Sequence, residues 1–361
     1  MSKGAELSQK YIALGDLQAF CARAMVRAGL SPADAATCAQ VLTTIDSWGI
    51  HTHGTRQIRG LMKNVANGRI NPKATPSILG EGAAWALVSG NRAMPMVTSC
   101  QAMELAMAKA KASGIGYVGV RHSNHFAAAG YYAVMAAEKD MIGLAMTNVD
   151  PWMTVPGGRG PVLGTNPIAY AVPAGEERPV FLDIATSTVA VTKILAAKAL
   201  GKPVPEGWLV DEDGLPTTDP SNYPEKGALL PMAGHKGYGL AVLVEVLCAV
   251  MTGAAVMHEV KCWLHDIPEP AEEGHAFIAI DVGAIMPIAQ FKARMDRMIR
   301  DIRNAPKAKG AERIYLPGEM EWERREAALK QGVRLPDYVT VNLYGLAEDF
   351  GLVEELTSLF H

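Results

Sequence analysis

The sequence predicts an α/β fold with a helical N-terminal part. Three observations lead there. Apolar residues recur at helical spacing up to about residue 70. From about Ile78, short apolar runs alternate with longer helical stretches. One stretch then condenses the pattern into a strand–helix–strand unit: Tyr117–Arg121, a helix from about His125 to Lys139, and Ile142–Asn148.

A first helix covers Leu14–Ala28 and stops at Gly29. Ser31 caps a second, with Pro32 in the first position and Asp34 three residues after the cap, and it runs to about Ile45 or Asp46. A turn through Trp48-Gly49 leads to Thr52, placed to cap a third helix through Val65. Asn67-Gly68 closes that helix and Asn71-Pro72 breaks the chain. Ala84–Ser89 reads as a strand and Pro95–Ser113 as a long helix. After the strand–helix–strand unit, residues 149–166 are rich in Gly and Pro and are expected to form an active-site loop. Strands are expected at Ile168–Val172 and Val180–Ile184, and a helix at Thr188–Ala199. Residues 201–231 form an excursion with a small hairpin at Asp211–Leu215. Gly237–Met251 reads as a buried helix, 264–275 as a loop, Phe277–Asp281 as a strand, Pro287–Asn304 as an amphipathic helix and 319–331 as a charged helix. The expected division is a helical part over 1–76, an α/β core over 77–304, and a segment over 305–361 packing back on the first part.

Composition narrows the function. A chain of 361 residues can bury a large core. A net charge of -3 gives no electrostatic reason to expect nucleic acid or an anionic membrane as partner. The most apolar run, Leu240–Met251, is interrupted by Glu245 and falls short of the roughly 20 residues that span a bilayer. The opening MSKGAELSQK lacks the apolar core of a signal peptide. Five widely spaced cysteines without CxxC fit buried thiols in a reducing cytoplasm.

Gly114, Gly116 and Gly119 form GxGxxG, but they follow a helix and enter a strand. A pyrophosphate-binding turn needs the opposite order, so a helix C-cap and turn is expected here. Ser123-Asn124 reads as an N-cap pair, which places His125 in the first turn of a helix beyond a strand's carboxyl end. There the helix dipole favours a neutral imidazole able to accept a proton, although a merely packing histidine fits the same pattern. His51 with His53, and His122 with His125, are weak as metal-ligand patterns, and no metal site is expected. Asp150, before Pro151, either orients a histidine or only starts a turn. His235-Lys236, flanked by Gly234 and Gly237 at a helix start, suits a phosphate.

The strings SNHF…AGYYA, LGTNPIA, LDIATS, GHKGYGL and PGE, in this order, resemble the malate/L-lactate dehydrogenase family over roughly residues 15–335. The resemblance implies a non-Rossmann α/β fold and an NAD(H)- or NADP(H)-dependent enzyme that interconverts 2-oxo and 2-hydroxy acids. It implies a homodimer with its sites near the subunit interface. His125 matches a proposed proton acceptor and His53 a proposed proton donor. Thr52 stands for a serine, and Arg56 would hold the substrate carboxylate. Many relatives have Arg four positions after the histidine, where this chain has Gln57, so Arg59 is a second candidate. Asp183-Ile184-Ala185 is similar to a segment that contacts the dinucleotide, although Asp183 could instead cap the following helix. Gly318-Glu319 belongs to PGE, whose Glu could accept from a ribose or simply start a helix. Reduction of a cyclic imine 2-carboxylate is a close alternative. A metal-dependent hydrolase or lyase and an inactive cofactor-binding protein are more distant ones.

Overall fold

The computed structural model describes residues 3–263 and 269–361. It opens with helices α1 (Lys3–Leu7), α2 (Leu14–Arg27), α3 (Pro32–Ser47) and α4 (Ile58–Ala66). Ser31 caps α3 as its spacing predicts, its hydroxyl accepting from the Asp34 N–H at 3.1 Å. The third helix starts later than expected. Residues 50–54 stay in turns, one 3-10 turn spans Thr55–Gln57, and Thr52 caps nothing. The cause is the buried Asp46, whose Oδ2 accepts from the Thr55 N–H and hydroxyl at 2.9 and 2.6 Å. Its Oδ1 meets His51 Nδ1 at 2.9 Å. Only glycine fits at position 54, because a Cβ there would lie 2.2 Å from Asp46 Oδ1.

The α/β part comprises β1 (Ser77–Glu81), β2 (Trp85–Ser89), α5 (Pro95–Ser113), β3 (Ile115–Ser123), α6 (Ala129–Ala137), β4 (Met141–Thr147), β5 (Ile168–Val172), β6 (Val180–Ile184) and α7 (Val191–Ala199). Then come β7 (Leu209–Val210), β8 (Pro216–Thr217), β9 (Ala228–Leu229), α8 (His235–Glu245), β10 (Glu273–Asp281), α9 (Val282–Ile285) and α10 (Ile288–Arg303). The main sheet runs β1-β2-β3-β10-β4-β5-β6. Among its described strands only β2 and β3 pair in parallel. Strand β10 lies antiparallel between β3 and β4, so the β3–α6–β4 unit keeps two parallel strands that do not touch. Helices α5 and α6 cover one face closely. A Cβ on Gly116 would lie 2.2 Å from Ala106 O, and one on Gly143 2.4 Å from Ala133 O. Gly114, at φ 85°, ends α5. The GxGxxG string therefore serves helix termination and close packing.

Helix α6 begins at Ala129 rather than His125. Ser123 stays in β3 opposite Glu273, Asn124 Oδ1 accepts from the His125 N–H at 2.8 Å, and Ala127 at φ 74° breaks the helical path. His125 therefore sits in a loop before the helix, and the dipole argument does not apply to it.

Helix α8 packs on the opposite face of the sheet and continues as a π-helical turn over Val246–Val250. Val244 and Cys248 meet Met146 and Ala276. This helix is not buried all round as its apolarity suggested: Leu243 is 47% and Val250 60% exposed. It is pinned by buried Glu245, which accepts from Met257 N–H at 2.8 Å and from the amides of Asn148 and Asn166 at 3.2 and 2.8 Å. The loop expected over 264–275 falls partly on residues 264–268, which lie outside the described residues, and β10 already begins at Glu273.

The chain ends in α11 (Glu319–Gln331), α12 (Asp337–Phe350) and α13 (Val353–Leu359). Ile12 bridges both Val333 and Phe360, and α12 and α13 pack with α1 and α2 in the core that also holds α5 and α6. Among the described residues no helix is long and apolar enough to cross a membrane.

Glu245→Ala leaves three donors facing an apolar gap. The expected loss is on the order of 3 kcal/mol, read as a lower urea midpoint by circular dichroism. A midpoint equal to wild type would show that Glu245 does not hold α8 to the sheet.

Candidate active site

The carboxyl end of β3 delivers His125 into the core, 8% exposed. Its ring stacks on Trp263 at 4.6 Å and 10°. His53 lies beside it, ring centroids 5.6 Å apart. The Nε2 of His125 is 2.9 Å from Gln57 Nε2, and its Nδ1 has no hydrogen-bond partner among the described residues. Burial holds the His125 imidazole well below its ordinary titration range, helped by His53 and His275. Neutrality thus comes from the core rather than from a helix terminus.

His53 and its neighbours come from the turn that Asp46 closes. Thr52 Oγ1 is 2.9 Å from His53 Nδ1. The surrounding packing, and then the charge of Arg56, lower the His53 pKa to about 4. Arg56 lies over the Tyr338 ring at 5.9 Å, and no carboxylate pairs with it among the described residues. Arg59 is different: it forms a two-pronged pair with Asp349, at 2.7 and 3.0 Å. Both prongs of its guanidinium are engaged there at the surface.

Among the described residues Asp150 does not bond to His125: one ring nitrogen faces Gln57, and the other has no partner there. Its charge acts instead on Glu273, Tyr223 and Arg69. Two residues that sequence reasoning passed over as site members belong here. Trp263 walls the imidazole, and Gln57, noted only as a departure, touches it. An aromatic before a loop carries no sequence signal of such stacking. Among the described residues no group of three or more His, Cys, Asp or Glu side chains could hold a metal ion.

A second cluster gathers the residues expected to face a dinucleotide. The Thr186 N–H donates to Thr165 O at 2.9 Å, and its carbonyl accepts from Met232 N–H at 2.9 Å. This stitches the half-buried Ile184 and Ala185 to the turn before α8, where His235 and Lys236 are exposed. Gly234 takes φ 62°, no side chain among the described residues caps α8, and a Cβ on Gly237 would lie 2.4 Å from Met232 O. An uncapped helix start beside a lysine in a glycine-bounded turn fits an anionic phosphate. Asp183 caps a helix, though not the following one: its Oδ2 accepts from the Gly130 N–H of α6 at 2.7 Å, and burial raises its pKa to about 6. Gly318, at φ 84°, packs on Phe181 beside Asp183's strand. Glu319 does not offer a free acceptor. It takes the Leu316 N–H at 2.9 Å and pairs with Arg313 and Arg303 at 2.9 and 3.4 Å, which fixes it as a helix start.

The fold and site define an α/β enzyme with a mixed, largely antiparallel sheet and imidazoles at a strand end. The profile of the malate/L-lactate dehydrogenase family matches residues 12–343, and the chain belongs to that family. It is a 2-hydroxyacid dehydrogenase, an oxidoreductase. The malate dehydrogenase of Pyrococcus horikoshii is 35% identical over 347 residues, covering 93% of this chain and 94% of that one. The L-sulfolactate dehydrogenase of Methanocaldococcus jannaschii is 39% identical over 324 residues, 90% of this chain and 92% of that one. The solved sulfolactate dehydrogenase from the same organism superposes with a TM-score of 0.89 at 36% identity, over 96% of this chain and 99% of that one. The Delta(1)-pyrroline-2-carboxylate/Delta(1)-piperideine-2-carboxylate reductase of Pseudomonas putida is 34% identical over 341 residues, 93% of this chain and 96% of that one.

The packed imidazoles make stability depend on pH. His53 is held down to about 4, and His275, bonded to Thr147 and Ser123 hydroxyls, to about 3. Both are neutral in the folded protein, whereas the unfolded chain takes up their protons below about pH 6.5. Their contribution is therefore fully present above that pH and is lost as pH falls towards 4 and then 3. His275→Asn is expected to flatten this decline in urea unfolding at a series of pH values. An unchanged slope would remove His275 as its source.

Proposed function

We propose that the chain interconverts a 2-hydroxy acid and a 2-oxo acid with NAD(H) or NADP(H). The observation that carries this reading is the pair His125 and His53, both kept neutral, beside a guanidinium on Arg56 that no described carboxylate occupies. Oxidising a hydroxy acid requires a base for the hydroxyl proton as hydride leaves C2. A neutral imidazole held out of water is such a base. His125 takes that role and His53 assists. Arg56, with the Thr52 hydroxyl, holds the carboxylate so that C2 faces His125. The nicotinamide, when bound, supplies or takes up the hydride. Ile184, Ala185, His235 and Lys236 form the dinucleotide side, with Asp183 and Gly318 supporting it.

A second reading, reduction of a cyclic imine 2-carboxylate, draws support from the Pseudomonas putida reductase and needs the same carboxylate anchor. An assay with pyruvate against a cyclic imino acid decides between the two. The cysteines, four of the five buried, support a reducing compartment such as the cytoplasm. A homodimer is supported by the apolar stripe that α8 and its π-turn leave outward at Leu240, Leu243, Val246 and Val250. Light scattering is expected to give twice the chain mass, and Leu243→Asp to give a monomer. A monomeric wild type would end that proposal.

The catalytic assignment is tested by following nicotinamide absorbance with a panel of 2-oxo acids. His125→Ala is expected to abolish turnover while nucleotide binding persists. Arg56→Ala is expected to raise KM for the acid on the order of a hundredfold, the loss of one charge-assisted contact, with little change for the nucleotide. Arg59→Ala is expected to leave both nearly unchanged and to cost about 0.5 kcal/mol of stability through its half-exposed pair. Equal effects of Arg56→Ala on both ligands would take it out of the carboxylate site.

A further inference from the structure

We propose that Gln57 sets the tautomer of His125, so that Nε2 presents the proton-accepting lone pair and Nδ1 carries the ring hydrogen. The role rests on the proposed function only in that His125 exchanges the substrate's proton. The tautomer follows from contacts of this chain alone.

Gln57 closes the 3-10 turn Thr55–Gln57 and is buried, 3% exposed. Its Nε2 faces two groups, Thr52 O at 3.2 Å and His125 Nε2 at 2.9 Å. Which end of an amide points where is settled by its partners. A backbone carbonyl can only accept, so the group turned to Thr52 O must be the NH2. Turning the amide over would set Oε1 against that carbonyl, two acceptors face to face. With the NH2 in place, one hydrogen goes to Thr52 O and the other to His125 Nε2. That nitrogen must then offer a lone pair. A neutral imidazole has one lone pair and one N–H, so the hydrogen sits on Nδ1.

Two atoms left over are consistent with this assignment. Gln57 Oε1 and His125 Nδ1 are both buried without a hydrogen-bond partner among the described residues. Had the amide been reversed, its oxygen would be satisfied by a ring N–H and the structure would carry a different pair of orphans. The arrangement also works against the imidazolium, because a second N–H at Nε2 would meet the donor of Gln57. When His125 takes the proton from a substrate, this contact must break and the amide must turn. Gln57 is thus a positioning residue that acts through His125. It holds the place at Nε2 that the substrate's hydroxyl takes.

The titratable groups facing His125 among the described residues are His53, from the turn before Thr55, and His275, from β10. Neither is altered by a change at Gln57. The test is the nitrogen-15 spectrum of histidine-labelled protein, with the His125 signals assigned by their loss in His125→Asn. Wild type is expected to show a bare Nε2 and a protonated Nδ1. Gln57→Glu puts an acceptor where the donor was, so Nε2 is expected to gain its hydrogen and the His125 titration midpoint to rise by roughly one unit or more. Gln57→Met, which has neither donor nor acceptor, is expected to populate both tautomers, and it carries the test if the glutamate variant fails to fold. A wild type in the Nε2–H form would overturn the proposal, as would a tautomer that neither variant changes. The spectrum needs no substrate, so its outcome is separate from the turnover of His125→Ala that decides the proposed function.

Discussion

Asp46 is the fixed point on which the site is built. Its buried carboxylate accepts from the Thr55 N–H, the Thr55 hydroxyl and His51 Nδ1, and so folds residues 50–55 back onto the end of α3. A carboxylate inside a protein is costly unless its lone pairs are filled, and these donors fill them. The geometry that fills them also shapes the next stretch of chain. It delays α4, presents Thr52, His53 and Arg56 on a turn, and sets Gln57 at the mouth of the helix. A regular helix from Thr52 would have placed those side chains on a rotating surface. The turn instead brings His53 and Gln57 against one ring, that of His125.

That ring is held by different means. His125 reaches the core on a loop between β3 and α6, stacked on Trp263 and neighboured by two further imidazoles. Three imidazoles packed together, two of them buried, cannot all charge, since burial and mutual repulsion both oppose protonation. The result is a site whose resting charge is carried by Arg56 rather than by a histidine. An anion entering it meets one guanidinium and neutral bases. Under the proposed function, that combination would bind a carboxylate without quenching the base that takes up the proton.

Much of this is legible in the chain. The Ser31 cap, the α5 boundaries and both strands β5 and β6 follow from capping residues and period, and the structure places them as expected. Context alone excludes the inverted GxGxxG as a phosphate-binding turn. The features that sequence does not show depend on contacts made at a distance. The start of α6 is set by Ala127 at φ 74° and by Asp183, 53 residues on, capping Gly130, neither of which has a local signature. Glu319 looks available until Arg303 and Arg313 close on it. Arg56 and Arg59 are equivalent in sequence. Only Asp349, from the far end of the chain, separates them.

Gln57 shows why such distinctions matter chemically. Within a string of matched motifs, an uncharged residue where many relatives have Arg reads as a loss. In the folded protein it is a pair of donors placed between a carbonyl and an imidazole nitrogen. An arginine at the same point would bring a permanent charge against a ring that burial already keeps from protonating. The amide gives direction without charge: it offers His125 a hydrogen bond in one sense only. In the proposed function carboxylate recognition falls to Arg56 one residue earlier, so that charge and direction would come from adjacent side chains of one turn instead of from a single guanidinium.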